Sequence, residues 1–237
     1  MTDSPSALLQ AALKRDPAGP LITYYDDATG ERTELSATTL ANWVAKTANL
    51  LTDDVDVQPG QDVAVLLPAH WQTAVVLLAL WSMGARPQPE SGEATVVIAD
   101  EPRLAALLET GGREVVGLSL GPMNRPLQAT PAGVLDYAAE VLSAGDAFAS
   151  RRQSGQLETM AAQAWVDEVG LTGADRVLVG GTFGVEHALD WLLTPLVAQA
   201  SIVLCRNADQ AKLAGRVADE RVTATIGVTV ERTRRLD

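Results

Sequence analysis

The sequence contains very little cysteine and histidine, which excludes several kinds of site. Among its 237 residues there is one cysteine, Cys205, so an internal disulfide cannot form. Two histidines and one cysteine provide no cluster with the ligand spacing of a zinc site. Cys205 lies in an apolar stretch, which indicates a small buried side chain. We therefore expect no metal centre and no cysteine-based catalysis.

Positive charge and long hydrophobic stretches are also scarce. The chain has only three lysines and a formal net charge of -12, which argues against a nucleic-acid partner and against a lysine-rich patch for anionic lipids. The most apolar stretch, residues 73–81, is much shorter than the ~20 residues needed to span a bilayer. Residues 1–5 lack the basic start and apolar core of a signal peptide. We expect a cytoplasmic protein without a membrane partner.

The remaining sequence alternates between strand and helix patterns. A hydrophobic fraction of 47% and a charged fraction of 20% are typical of a globular protein. Residues 63–67 are apolar on both faces, as in a buried parallel strand, and a helix over 71–83 follows and ends at Gly84. Ser4 and Ser36 are predicted to cap helices. This alternation predicts an α/β fold with mainly parallel sheets and helices on both faces.

The later part of the chain continues the same alternation. The further predicted elements are strands at 21–25, 32–35, 95–98, 114–118, 176–179, 202–204 and 223–226, and helices from 101, around 135–142, and at 156–169, 185–198 and 208–219. Residues 145–155 are rich in charged and small side chains. We predict a first lobe over 1–144, a connecting segment over 145–155 and a second lobe over 156–237, or one compact domain.

Several blocks of the sequence resemble, in the correct order, the adenylate-forming family that includes acyl-CoA synthetases. Residues 57–68 (VQPGQDVAVLLP) resemble the family's "v.pGD.Val.lp", and residues 77–85 (LLALWSMGA) resemble its "llA.lk.GA". Residues 173–178 resemble "..gDrvL", and residues 193–204 resemble "l.pL..Ga.vvl". The resemblance covers roughly residues 20–228 and implies the first half of an acetyl-CoA-synthetase-like N-terminal domain, as in a short member of the family.

The same resemblance reveals missing parts. The family's phosphate loop ends in Pro-Lys-Gly, but residues 148–156 (FASRRQSGQ), where it is expected, contain no such triplet. The family's magnesium motif, ribose-binding aspartate and catalytic lysine would all follow residue 237. Phosphoryl activation needs metal and positive charge on the developing pyrophosphate. We therefore expect no catalytic residues and no adenylation by this chain alone. Arg151 and Arg152 could bind an acidic group or lie in a solvated loop.

One glycine-rich segment, residues 179–184, lies between a predicted strand and helix. Gly180, Gly181, Thr182 and Gly184 could present N–H groups to an anion, or could serve only a tight connection. His187 is three residues before Asp190, a spacing that allows a hydrogen bond on a helix, and a histidine in this region of the resembling family lies near the acyl pocket. These five residues, Gly180, Gly181, Thr182, Gly184 and His187, are the predicted ligand site.

Three functions remain open from the sequence. The first is a catalytically inactive scaffold for binding or assembly. The second is a subunit of an ATP-dependent carboxylic acid:CoA ligase that completes its site with another chain. The third is a small nucleotide-binding domain that uses the glycine loop, with Arg206 near a ribose phosphate. No cofactor is predicted, ATP, AMP and CoA being the alternatives. We expect a homodimer or a protein partner, with Trp191, Leu192, Leu193 and residues 228–236 as contributors.

Overall fold

A computed structural model of the chain describes residues 4–149 and 153–236. Its strands are β1 (Pro20–Asp26), β2 (Glu31–Ser36), β3 (Asp62–Leu66), β4 (Arg86–Gln88), β5 (Val96–Asp100), β6 (Glu114–Leu118), β7 (Val134–Asp136), β8 (Arg176–Gly180), β9 (Ser201–Arg206), β10 (Ala224–Ile226) and β11 (Arg234–Arg235). Its helices are α1 (Pro5–Arg15), α2 (Ala37–Asp53), α3 (Trp71–Met83), α4 (Leu104–Thr110), α5 (Tyr137–Glu140), α6 (Gln156–Val169), α7 (Thr194–Val197) and α8 (Gln210–Asp219).

The strands form two sheets, and nearly all neighbouring strands are parallel. Sheet A has six described strands in the order β11-β10-β8-β9-β1-β2, and only the β1–β2 hairpin is antiparallel. Sheet B has five described strands in the order β4-β3-β5-β6-β7, all parallel. The predicted α/β fold with mainly parallel sheets is therefore confirmed.

The largest apolar core lies between the two sheets. Alternate residues of the central strands point into it, such as Val63 and Val65 of β3 and Val177 and Val179 of β8, together with the apolar faces of α1, α2 and α3. The opposite faces of the sheets are covered separately, by Leu104 of α4 on sheet B and by α8 on sheet A. Helices thus pack on both faces of each sheet, as expected.

Helix α3 lies entirely inside this core, and all of its residues from Trp71 to Met83 are buried. A helix that is apolar on every side is stable only when it is surrounded by other elements. His70 caps its first turn, with Nδ1 accepting a hydrogen bond from the backbone N–H of Gln72, and Gly84 ends it with a φ of 81°. The predicted bounds of this helix are confirmed, as are the caps at Ser4 and Ser36.

Two predicted helices are helical in the structure, but each departs from one continuous α-helix. The helix predicted over 185–198 is a 3-10 turn (Val185–His187), a π-helical turn (Leu189–Leu193) and the short α7. Pro195 lacks the N–H that a continuous α-helix needs, so the chain changes its hydrogen-bond spacing before it. The helix predicted around 135–142 begins as β7, which pairs with β6, and Asp136 then caps α5.

The sheets combine both halves of the chain. Strand β1 pairs with β9, so sheet A contains segments from before and after residues 145–155, and the division into lobes 1–144 and 156–237 stays a prediction. One proposal about partner contacts was wrong: Trp191, Leu192 and Leu193 are at most 1% exposed and belong to the core. They are therefore unable to form an intermolecular surface.

Candidate functional site at the carboxyl ends of β8 and β9

The chain leaves β8 and β9 in opposite directions. After β8 it passes through Trp191 and Leu192 into the core between the sheets, whereas after β9 it enters α8 on the other face of sheet A. In open parallel sheets, a crevice forms where neighbouring connections diverge to opposite faces, outside the carboxyl ends of the strands. The predicted glycine loop lies at this point of the fold.

Close backbone approach explains two glycines at this edge. A Cβ atom on Gly180 would lie 2.7 Å from Cγ1 of Val228, and one on Gly227 would lie 2.0 Å from the carbonyl oxygen of Gly180. Gly181 and Gly227 also have positive φ values, 114° and 74°. The loops after β8 and β10 thus need glycine in order to pass each other, whether or not a ligand binds.

The loop is also fixed to sheet B. The Phe183 carbonyl accepts a hydrogen bond of 2.8 Å from the N–H of Ala69, and Gly184 forms an isolated antiparallel bridge with Pro68. The Gly184 carbonyl accepts a bond of 2.9 Å from Nε1 of Trp191. These bonds give residues 183–184 a defined position, so the loop can form one rigid wall of a cleft.

A cleft of about 430 Å³ lies beside this loop. Its apolar wall consists of Val179, Phe183, Leu204 and Val228, together with Pro68, Ala69 and Ala208. Its polar part consists of Gly181, Thr182, Cys205, Arg206 and Asn207. Of the five predicted site residues, the structure brings Gly181 and Thr182 to the cleft, whereas Gly180, Gly184 and His187 are not among its lining residues.

His187 lies apart from the cleft. Its ring packs edge-on against Phe183, with 5.5 Å between the ring centroids, and Nδ1 lies 3.2 Å from Oε1 of Glu186. Its side chain is 45% exposed. The predicted hydrogen bond to Asp190 stays a prediction, and so does a ligand role for His187.

Among the described residues that line the cleft, Arg206 has the only charged side chain. It ends β9 directly beside Asp26 of β1. No carboxylate in the described chain lies within 4 Å of its guanidinium group. Asp26 instead accepts hydrogen bonds at Oδ1 from the backbone N–H of Ala28 and from Nδ2 of Asn207. Arg206 therefore brings a positive charge to the cleft without an ion-pair partner of its own.

Behind the cleft, His70 and Tyr24 are completely buried and in contact. Their ring centroids are 4.4 Å apart in an edge arrangement. Burial, with the charge of Arg206 adding to it, lowers the pKa of His70 well below its usual value. Burial also raises the pKa of Tyr24. Both groups are therefore neutral at pH 7. His70 also has a structural function, because its capping bond begins α3.

A larger cleft, of about 670 Å³, lies at the amino ends of the sheet A strands. Its central charges are already paired, because Arg176 forms an ion pair with Glu220 and donates to Oγ1 of Thr23. Glu220 also accepts from the hydroxyl group of Tyr25 and pairs with Arg32. This network neutralises the charges of Arg176 and Glu220 at the centre of the cleft.

The described residues contain no group of three or more metal-ligating side chains close enough to hold an ion. Cys205 is buried, and burial raises its pKa to about 11, so it remains a thiol at pH 7. No described helix has both the length and the apolar character to cross a membrane. The predicted pair Arg151 and Arg152 lies outside the described residues.

The sequence-based prediction missed the third loop of the cleft. Gly227 and Val228 follow the predicted strand 223–226 directly, and a glycine at the end of a parallel strand is the signal that could have identified them. Asn207 was also missed, although it follows Arg206 and has a φ of 49°, in the left-handed region that asparagine tolerates.

Known proteins resemble this chain in sequence over its length or in fold alone. No family model matches the sequence. A TIGR03089 family protein of Mycobacterium tuberculosis (strain ATCC 25618 / H37Rv) is 44% identical over 236 residues, which cover 93% of this chain and 96% of that protein.

Solved structures of about twice this length share the fold. An acyl-CoA synthetase of Brucella canis matches with a TM-score of 0.76 and 19% identity over 94% of this chain and 47% of its own. The anthranilate CoA ligase AuaEII, solved with anthranoyl-AMP, matches with a TM-score of 0.75 and 15% identity over 95% of this chain and 49% of its own. MatB from Rhodopseudomonas palustris matches with a TM-score of 0.73 and 18% identity over 95% of this chain and 49% of its own. The predicted fold, that of an acyl-CoA-synthetase N-terminal domain, is confirmed.

Proposed function

We propose that this chain, which belongs to the TIGR03089 family, is a non-catalytic protein. Its acyl-CoA-synthetase-like scaffold binds a small ligand. The binding site is the cleft at the carboxyl ends of β8 and β9. The single observation that carries the proposal is the charge of this cleft, which Arg206 alone supplies within the part of the chain that the structure describes.

The three lysines support the absence of catalysis because each lies away from the cleft. Lys46 donates hydrogen bonds to the carbonyl oxygens of Leu142 and Ala144, and Lys212 pairs with Asp27. Lys14 is exposed in the last turn of α1. None of them follows a proline, as the lysine of the family's phosphate loop does.

Adenylation requires more charge than this cleft supplies. The reaction develops negative charge on pyrophosphate, and enzymes stabilise that charge with a bound cation and several positive side chains. In residues 4–149 and 153–236, the lining of the cleft includes one arginine and no aspartate or glutamate that could hold a magnesium ion. One guanidinium group is sufficient to bind a small anion, but it is insufficient for activation of ATP.

A second candidate is a subunit that completes an acid:CoA ligase with another chain. The observation that favours it is the length of the solved structures, since this chain corresponds to 47–49% of each. A partner would then supply the phosphate-binding loop and the acidic residues. This candidate predicts activity in a complex and none in the isolated chain.

Pyrophosphate exchange tests both candidates. The purified chain, ATP, Mg²⁺ and a panel of carboxylic acids should give no exchange above a control without protein, while a complete acyl-CoA synthetase is active in the same assay. Exchange at about 1 s⁻¹ or faster by the isolated chain would contradict the proposal. Exchange only by a complex isolated from the host would establish the subunit function instead.

A thermal-shift screen with ATP, AMP, CoA and NAD(P) tests the nucleotide-binding alternative. A ligand at 100 times its Kd stabilises the folded state by about 2.7 kcal/mol, which is readily measured. We expect no shift that requires the adenine base. A shift with AMP that phosphate and ribose phosphate do not reproduce would favour the nucleotide-binding domain.

A further inference from the structure

We infer that the cleft binds an oxyanion, a carboxylate or a phosphate group of a small molecule, through the guanidinium group of Arg206, with the apolar part of the ligand against Phe183 and Val228. The inference rests on the proposed binding function and names the chemical class of ligand for the same site. Oxyanions suit this position because the planar guanidinium fork pairs with carboxylate and phosphate oxygens in two parallel hydrogen bonds.

Three carboxylates close to Arg206 in the sequence or on the neighbouring strand already have hydrogen-bond donors. Asp26 accepts from the N–H of Ala28 and from Asn207. Asp27 accepts from both Arg216 and Lys212. Asp209 caps α8 by accepting from the N–H of Ala211. In a chain with a net charge of -12, these three acids have donors of their own, and the described chain leaves Arg206 without an ion pair.

The buried rings beside Arg206 are uncharged. Tyr24 and His70 are 0% exposed, and burial favours the neutral form of each. Glu31, which is also buried, accepts hydrogen bonds from Nε1 of Trp71 and from the hydroxyl group of Thr33. On its buried side Arg206 therefore meets the neutral groups of Tyr24 and His70, and it has no ion pair among the described residues.

The cleft also has an apolar side that suits a small organic ligand. Phe183 and Val228, backed by the buried Val179 and Leu204, form the apolar side of a cleft of about 430 Å³, and Thr182 lies exposed at its edge. Small-molecule sites combine such a surface with a few polar groups that fix orientation. The ligand class that fits is therefore a small organic acid or phosphate ester with a compact apolar group.

Titration calorimetry of matched arginine variants tests the inference. The probes are benzoate, butyrate, inorganic phosphate and phenyl phosphate, at up to ~10 mM and low ionic strength, because salt screens such contacts. Arg206→Gln should weaken binding of the best probe by about 10- to 100-fold, and Arg206→Lys by less. Arg125→Gln is the control, since Arg125 is exposed and lies in the region of sheet B, and it should bind like the wild type. Comparison of the two carboxylates with the two phosphates identifies which oxyanion the cleft prefers.

A second variant keeps the test valid if Arg206→Gln does not fold. Thr182→Trp places a bulky ring at an exposed position of the cleft and should also abolish binding, with circular dichroism confirming the fold. Equal binding by wild type and a folded Arg206→Gln or Thr182→Trp variant would overturn the inference, as would the absence of binding by every probe. Neither result would bear on the absence of catalysis. Pyrophosphate exchange by the isolated chain would contradict the proposed function, but an oxyanion site that depends on Arg206 would remain supported.

Discussion

Replacing Gly227 with alanine should destabilise the protein strongly, and the structure gives the size of the effect. Gly227 has a φ of 74°, a conformation that costs an L-residue about 1–2 kcal/mol. Its new Cβ would also lie 2.0 Å from the carbonyl oxygen of Gly180 and 2.7 Å from the ring of Phe183. Relief of such a clash by movement of backbone typically costs about 1–3 kcal/mol. We expect a total loss of about 2–5 kcal/mol.

Two other glycines separate these contributions. Gly60 has a φ of 84° and no atom within 4 Å of an added Cβ, so Gly60→Ala should cost about 1–2 kcal/mol from conformation alone. Gly215 lies on the exposed side of α8 with free space around it, so Gly215→Ala should stabilise the protein by about 0.5–1 kcal/mol through helix propensity.

Urea denaturation of the four proteins, followed by circular dichroism, measures these differences through the midpoint at a constant m value. From most to least stable, the expected order is Gly215→Ala, wild type, Gly60→Ala and Gly227→Ala. If Gly227→Ala were no less stable than Gly60→Ala, the close approach of the loops after β8 and β10 would be refuted, and with it the geometry of the cleft.

The buried histidine and the exposed apolar side chains give the remaining predictions. His70 has a pKa well below that of an unfolded histidine, so the unfolded state binds more protons and the free energy of unfolding should fall as the pH decreases below about 6.5, by up to ~1.4 kcal/mol per pH unit. His70→Asn, which keeps a capping acceptor, should reduce this slope when urea denaturation is measured at a series of pH values. A slope equal to that of the wild type would show that His70 does not cause the pH dependence. Leu157 and Met160, 78% and 52% exposed on α6, should support self-association. Light scattering after size exclusion should give a mass above 25.0 kDa for the wild type and a monomer for the variant with glutamate at positions 157 and 160. A monomeric wild type that captures no partner in a pull-down would refute the prediction.

Much of the fold could be predicted because its central elements have strong local patterns. The apolar segment 71–83 and the two-sided apolar strand at 63–67 can only be buried, and both were identified correctly. The short edge strands β4 and β11 were missed. Arg86, Pro87 and Gln88 have no strand pattern of their own, and they pair with β3 only because the sheet is already there.

The site was predictable only in part, because a cleft depends on contacts between distant segments. Gly181 and Thr182 were found from the glycine-rich connection after β8. The approach of Gly227 to Gly180 depends on β10 crossing to the far side of β8, and no local pattern records that crossing. The π-helical turn before Pro195 likewise required knowledge of how Trp191 packs.

The affinity that this cleft can provide also determines how its ligand must be sought. A hydrogen-bonded pair between Arg206 and an oxyanion contributes about 1.5–3 kcal/mol. A ligand that buries about 100 Å² of apolar surface against Phe183 and Val228 gains about 2.5 kcal/mol more. The sum of about 4–5.5 kcal/mol corresponds to a Kd between about 1 mM and about 0.1 mM, before the ordering costs of binding are subtracted. Screens at micromolar concentration would therefore miss such ligands, and titrations at millimolar concentration are the ones that decide whether Arg206 binds an oxyanion.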